Sequence, residues 1–228
     1  MALTTTAATV FTRRPTRLLD RFDMPKTRVV LGAFLRKRAF DLIFAALVVV
    51  FLLSWLLPLL ALLIKVESRG PVFFKQLRTG KHGQPFYCYK FRSMRVNAEA
   101  DAKQASRGDS RITQVGAFLR QTSLDELPQF LNVLKGEMSV VGPRPHMLSH
   151  TEYYAQAIDN FMDRHQVMPG ITGLAQVSGY RGETKEVDAM AQRVDADIKY
   201  LSNWSFLLDL RIVQLTILQS FKHNKNAF

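Results

Sequence analysis

Cysteine is nearly absent from this chain. Cys88 is the only one in 228 residues, so no intrachain disulfide can form, and its place in the apolar run FYCYKF suits a buried thiol better than a nucleophile. Acidic side chains are scarce too, with 19 Asp and Glu against 31 Lys and Arg, a formal net charge of +12 and a pI near 10.1. That imbalance implies an anionic partner: nucleic acid, an acidic membrane surface or a phosphorylated substrate. Of five histidines, only His146 and His150 have a metal-like spacing, and no third ligand follows at a diagnostic interval, which argues against zinc. Internal repeats, heptads, zinc-finger spacings and the Walker and Rossmann glycine patterns are all missing, so nucleotide binding by those routes is disfavoured. What remains is a chain with an ordinary hydrophobic share of 47%, long enough for one good-sized core with appendages.

Residues 1–34 read as a flexible basic tail without a secretory leader, and Arg13, Arg14, Arg17 and Arg21 suit either anionic lipid headgroups or plain solvation. Residues 40–64 are apolar with Asp41 as an early charge, and at helical rise they extend roughly 37 Å, enough to cross a hydrocarbon core. Both flanks are basic, with Arg36, Lys37 and Arg38 before and Lys65, Arg69, Lys75 and Arg78 after, whereas a simple span would put one basic flank outside. Pro58 has no N–H to offer the carbonyl of Ser54, so a bend is expected at Ser54 and Pro58. These features predict a re-entrant helical hairpin over 35–66 and a monotopic protein, with residues 67–228 forming a cytosolic catalytic domain.

Residues 71–94 read as a β-hairpin turning through TGKHGQ. If the second strand is extended, Cys88, Lys90 and Arg92 share one face, so two cations point together, although a charged edge strand gives the same pattern. The segment SLDELPQ sets two adjacent carboxylates, Asp125 and Glu126, at the start of an expected helix over 125–134, with Arg120 upstream. Ser123 followed by Glu126 is also a capping box, and a capping role and a catalytic role are both consistent with it. A buried strand SVV leads into Gly142-Pro143-Arg144-Pro145, where the flanking prolines either fix a guanidinium in space or simply end the strand. A helix is expected over 151–165, then a glycine-rich passage with Gly170, Gly173, Gly179, Arg181 and Gly182 whose backbone could approach phosphate or sugar closely. Over 204–221, Trp204, Leu207, Leu208, Ile212, Leu215, Leu218 and Phe221 form one apolar helix face, suited to the core or to a membrane interface.

Taken in order, KRAFD, YKFRSM, SLDELPQFLNVLKGEMSVVGPRP, PGITGLAQVSGYRGET and NWSFLLDLRI resemble the bacterial sugar transferases, the monotopic phosphoglycosyl transferases, from about residue 35 to 228. The resemblance implies an α+β, helix-rich membrane fold with small β elements. It also implies an enzyme at the cytoplasmic face of the bacterial inner membrane that begins exopolysaccharide assembly. There a sugar 1-phosphate passes from a UDP-sugar to undecaprenyl phosphate and UMP is released. By the same resemblance Asp125 is the nucleophile of a covalent intermediate, Glu126 is its acid or base, both support Mg²⁺, and Lys90, Arg92, Arg120, Arg144 and Arg181 face phosphate. The passage GYRGET is closer to members that use UDP-glucose than to those that use UDP-galactose.

The chain departs from the pattern at two places: Ser54 and Pro58 stand apart where several relatives pair Ser-Pro, and Met168 stands where an arginine is common, leaving Arg164, His165 or Arg181 to replace it. The multi-span N-terminal region of larger relatives is not seen, so the minimal catalytic form is expected. A non-catalytic membrane adaptor of a polysaccharide assembly complex is the alternative. Nucleic acid is not an expected partner, because the basic residues gather around the apolar segment and the carboxylates instead of lining a helix face. Membrane lipids are, and a homo-oligomer is compatible with the sequence.

Overall fold

A computed structural model describes residues 27–96, 108–180 and 186–221. It divides into a unit of residues 1–36 and a unit of residues 37–228. Within the first unit the described residues are helical, and the Arg36 side chain donates to the carbonyl of Gly32. Everything that follows concerns the second unit unless stated.

Helix α1, Thr27–Val48, runs into a π-helical turn at Val49–Leu53 and then helix α2, Ser54–Glu67. The 36-residue run Gly32–Glu67 is long and apolar enough to cross a membrane by length and composition. No loop separates its halves: Val48, Leu53 and Ser54 keep right-handed helical dihedrals, and Ser54 N–H reaches back five residues to the Val49 carbonyl. The helix is therefore not broken at Ser54 or Pro58: a widened turn lies just before Ser54, at Val49–Leu53, and Pro58 sits inside α2. One stripe of this helix is buried, with Ala45, Leu53, Leu56, Leu60 and Ile64, while Leu47, Phe51, Trp55, Leu59 and Leu62 on other faces are exposed.

The expected hairpin is present. Strands β1, Phe73–Thr79, and β2, Pro85–Phe91, pair antiparallel from Phe73 opposite Phe91 to Thr79 opposite Pro85. Alternation buries Phe86 and Cys88 inward, and Phe91 packs with Leu53, Leu56, Leu60, Ile64 and Leu119, so the hairpin sits against α2. Helix α3, Gln114–Thr122, is capped by the Thr113 hydroxyl and by Glu67, which accepts from the N–H groups of Gln114 and Val115.

The carboxylate segment departs from its expected form. It is a single 3₁₀ turn, Leu124–Glu126, followed by the short helix α4, Gln129–Lys135. Pro128 divides the two, and Ser123 takes left-handed dihedrals at the end of α3 without making a side-chain cap. The expected capping box is therefore not formed. Strand β3, Ser139–Val141, pairs in parallel with β4, Gly170–Thr172, and helices α5, Leu148–Ala157, α6, Leu174–Val177, α7, Val187–Ser202, and α8, Phe206–Phe221, surround that pair. The helix expected over 151–165 ends at Ala157 and resumes as a 3₁₀ segment, Phe161–Gln166. On α8 the apolar face splits: Ile212 is buried beside Leu208 and Trp204, whereas Leu207 and Leu218 are exposed.

A buried polar knot ties α1 and α8 to β3. Lys37 Nζ lies 2.9 Å from Asp209 Oδ2, 3.3 Å from Asp41 Oδ1 and 3.1 Å from the Val141 carbonyl. Asp41 accepts the Val140 N–H at 3.0 Å, and Asp209 also meets the Tyr200 hydroxyl at 2.8 Å and Trp204 Nε1 at 3.1 Å. Lys37, Asp41 and Asp209 fall in KRAFD and NWSFLLDLRI, so these motifs hold the strand that leads into the arginine turn.

Candidate active site

Asp125 and Glu126 are both buried, 7% and 9% exposed, on the 3₁₀ turn that faces β2. Because β2 alternates, Lys90 projects toward that turn, and its Nζ sits 2.8 Å from Glu126 Oε1. From the other side Arg144 grips the same carboxylate with both terminal nitrogens, Nη1 to Oε2 at 3.0 Å and Nη2 to Oε1, the fork geometry that arginine is shaped for. Burial works against Glu126's charge, yet Arg144 and Lys90 outweigh it and hold this carboxyl well below its ordinary range. Glu126 in turn holds Arg144 above its ordinary value despite burial.

Asp125 is the counterpart. Burial pushes its carboxyl up, the Glu126 charge adds to that, and Lys90, Arg120 and Arg144 offset only part. Among the described residues no hydrogen bond or ion pair reaches its oxygens. One carboxylate is therefore saturated by cations and the other is desolvated and free, although they are neighbours in sequence. A single 3₁₀ turn supplies little dipole to favour the Asp125 charge, and burial dominates.

The arginine turn is held at nearly every peptide. The Val141 carbonyl meets Lys37, Gly142 N–H donates to the Thr172 carbonyl, and the Pro143 carbonyl accepts from Gly170 N–H. The Arg144 carbonyl accepts from Arg164 Nη2 at 2.7 Å, the Pro145 carbonyl from Arg78 Nη1 at 2.5 Å, and the His146 carbonyl from Thr79 N–H at 2.9 Å. The glycines of PGITG serve this packing. A Cβ at Gly170 would lie 2.1 Å from Gly142 N, and one at Gly173 2.3 Å from Gly142 O. The close approach expected to a ligand is made instead to the chain itself, and the reading of GPRP as a device that fixes a guanidinium is the one the geometry favours.

Arg120 joins the site from α3: its Nε donates to Ser93 Oγ at 2.9 Å, and Asp125 is the leading charge opposing the effect of burial on it. Arg92 does not join. The strand ends at Phe91, alternation ceases, and the guanidinium turns to the carbonyls of Ile64, Ser68 and Arg69, capping the end of α2. Arg181 lies outside the described residues, as do the tail arginines. Ser54 begins α2 directly after the π turn, and Pro58 lies inside α2.

Among the described residues no group of three or more His, Cys, Asp and Glu could hold a metal ion by itself. The residues present nevertheless fit a Mg²⁺ that takes most of its ligands from phosphate and water, because the free oxygens of Asp125 provide the anchoring carboxylate. Glu126 has little spare capacity while Lys90 and Arg144 occupy it.

Sequence reading offered Arg164 and His165 only as stand-ins for the arginine absent at Met168; both are buried, and Arg164 instead forms a second layer behind Arg144 that the sequence did not reveal. Arg164, buried on the 3₁₀ segment, bridges His146 Nδ1 at 2.7 Å, the Arg144 carbonyl and Asp197 Oδ2 at 2.7 Å, and Arg78 stands beside it. These residues are far apart in sequence and share no spacing. The one available signal was on α7, where the buried stripe Met190, Arg193, Val194, Asp197 and Tyr200 carries two charges among apolar neighbours.

Residues 32–223 match the family described as Bacterial sugar transferase. The chain is 50% identical over 193 residues to the UDP-glucose:undecaprenyl-phosphate glucose-1-phosphate transferase of Klebsiella pneumoniae, covering 84% of this chain and 41% of that protein. It is 51% identical over 184 residues to the protein of the same name from Caulobacter vibrioides, covering 80% and 68%. To the exopolysaccharide production protein PSS of Rhizobium leguminosarum bv. phaseoli it is 44% identical over 194 residues, covering 83% and 96%. The chain thus spans about two fifths of the length of the Klebsiella relative and nearly all of the Rhizobium one. With the family match running over residues 32–223, through the dyad and its arginine turn, and with relatives this similar, the chain belongs to the bacterial sugar transferase family.

Proposed function

We propose that this protein is a phosphoglycosyl transferase that moves hexose 1-phosphate, with glucose as the expected hexose, from a UDP-sugar to undecaprenyl phosphate. The carrying observation is the unequal pair: Glu126 fixed as an anion between Lys90 and Arg144, and Asp125 buried beside it with its oxygens unengaged. A desolvated carboxylate is a better nucleophile than a hydrated one. In the first step an Asp125 oxygen attacks the sugar-bearing phosphorus of the donor, forming an acyl phosphate as the bond to the bridging oxygen breaks and UMP leaves. In the second, an oxygen of the polyprenyl phosphate attacks the same phosphorus, the diphosphate-linked sugar forms, and the Asp125 carboxylate is restored.

Two dianionic substrates and a carboxylate repel one another, so positive charge must be in place before bonding. Lys90, Arg120 and Arg144 supply it from three different elements, and Glu126 keeps Lys90 and Arg144 aimed. Mg²⁺, when bound through Asp125 and the substrate phosphates, would neutralise further diphosphate charge. The long apolar helix supports membrane association, and the basic residues on both of its flanks support a re-entrant, monotopic anchor at the cytoplasmic face of the inner membrane. That arrangement brings a lipid-borne phosphate and a soluble nucleotide sugar to one height. The glucose assignment is supported by the relatives' names and by GYRGET, and exopolysaccharide initiation by the same relatives.

Purified protein with Mg²⁺, polyprenyl phosphate and a panel of UDP-sugars should release UMP fastest from UDP-glucose. Labelled donor without acceptor should leave a phosphosugar on Asp125. Turnover without such an adduct would sink the covalent step, and no UMP from any donor would sink the activity.

A further inference from the structure

The peptide between Arg144 and Pro145 has no N–H, so its carbonyl oxygen is the only handle by which the protein can stop that plane from rotating. Proline restricts Arg144 to extended dihedrals but does not fix them. The handle is held by one side chain, Arg164, through Nη2 at 2.7 Å. Arg164 is itself 1% exposed and buried against Asp197, with an ion-pair distance of 2.7 Å, and its Nη1 faces His146 Nδ1 at 2.7 Å. A guanidinium has only donors, so His146 Nδ1 accepts, and the imidazole proton sits on Nε2. Burying a guanidinium so completely is expensive in stability and would be poor design for packing alone, since an apolar side chain of similar volume would serve better.

We propose that Arg164, braced by Asp197, is a positioning residue for the phosphate chemistry. It fixes the Arg144 peptide and so aims the guanidinium that holds Glu126 and meets substrate phosphate. The inference rests on the transferase reading above. It assigns Arg164 no contact with substrate, and it separates Arg164 from Lys90, which meets Glu126 directly, and from Arg120, whose charge acts on Asp125.

A misplacement of about 1 Å at a reacting centre costs on the order of a hundredfold. Arg164→Lys keeps the charge but cannot span the Arg144 carbonyl, His146 and Asp197 together. It should lower kcat for UMP release about 10- to 100-fold and leave KM for the donor within about threefold. The decisive measurement is a double-mutant cycle on the full chain with radiolabelled donor, so that residual rates remain measurable. If Arg164 acts through the Arg144 side chain, Arg164→Lys should cost less than about threefold in the Arg144→Ala background. The loss in Tm should be the same in both backgrounds, because the carbonyl bond survives truncation of the side chain. Should Arg164→Lys fail to fold, Asp197→Asn, which unbraces the same guanidinium, should give the same pattern. Losses that multiply across the cycle would overturn the positioning role while leaving the transferase reading intact. An Arg144→Ala variant with unchanged UMP release would likewise overturn the positioning role alone, whereas no UMP release by the unaltered chain from any donor would overturn the transferase reading.

Discussion

Two of the buried ionic clusters in this molecule, the knot and the dyad, differ in how completely their carboxylates are answered. At the knot, Asp209 is fully buried, and its two oxygens meet Lys37, Trp204 and Tyr200, while Asp41 meets Lys37 and the Val140 N–H. At the dyad, Glu126 is answered twice over, whereas among the described residues Asp125 has no hydrogen bond or ion pair and feels Lys90, Arg120 and Arg144 only through their charge. Buried polar groups are normally satisfied, so an unanswered buried carboxylate signals a group kept ready for a partner that comes and goes. On the proposed function the knot is architecture and the dyad is chemistry, although both are drawn from the same scarce stock of acids.

The comparison breaks most cleanly with matched Asp→Asn changes. Asp125→Asn should reduce UMP release by about a thousandfold or more and raise stability by about 0.5–2 kcal/mol at neutral pH, because it removes a desolvated charge. Asp209→Asn should do the reverse. It leaves Lys37 buried with a weakened partner, so stability falls by about 3–5 kcal/mol, while turnover per folded molecule stays within about threefold. Thermal unfolding and UMP assays on the same preparations measure both, and a stable, inactive Asp209→Asn protein would erase the distinction drawn here.

Acid titration sharpens it. Burial and Glu126 raise the folded pKa of Asp125 above the unfolded value of about 3.9. The folded state therefore binds this proton more tightly, and the ionised group costs stability at pH above its folded pKa. The stability gained by Asp125→Asn should be full at neutral pH and shrink as pH falls through that raised value. Glu126 has the opposite sign. Its folded pKa lies well below the ordinary range, so it contributes stability above its unfolded pKa of about 4.3, lost as pH falls through the folded value. Glu126→Gln should flatten that acid limb and strand Lys90 and Arg144 without a counter-charge. A variant whose unfolding curve kept the wild-type acid limb would show that Glu126 is not the clamped anion.

Local pattern carried much of this. The hairpin followed from alternation around TGKHGQ, the apolar helix from its length, and Lys90, Arg120 and Arg144 converge on the dyad as their motifs suggested. What sequence did not yield is whatever depends on where an element stops. Extending the strand to Met94, three residues past its end at Phe91, puts Arg92 beside Lys90, and a single helix from Asp125 overlooks the division at Pro128. The unequal states of Asp125 and Glu126 were also hidden, since they arise from burial and from partners 18 and 36 residues away. No spacing rule reaches that far.

The corrected role of Arg92 makes the next test. Its Nη atoms meet the carbonyls of Ile64, Ser68 and Arg69 and the Ser68 hydroxyl, so Arg92→Met should uncap α2 and cost about 1–3 kcal/mol. Turnover per folded molecule should change by less than about threefold, unlike Arg144→Met, where loss of the Glu126 fork acts on the chemistry itself. Equal catalytic losses from the two would return Arg92 to the site.

The smallest effect is expected at the bend. In the π turn the Ser54 N–H is given to Val49, and the Ser54 hydroxyl adds a bond to the Val50 carbonyl at 2.6 Å while Trp55 Nε1 adds one to Phe51 at 2.9 Å. Side chains therefore reinforce the carbonyls that a widened turn leaves poorly matched. Hydrogen bonds of this kind inside a membrane contribute only about 0.6 kcal/mol on average. Ser54→Ala should thus lower stability by less than about 1 kcal/mol and leave UMP release within about twofold. A larger loss of activity without a matching loss of stability would mean that the bend takes part in delivering the lipid acceptor, and the division between architecture and chemistry would have to be redrawn inside the anchor.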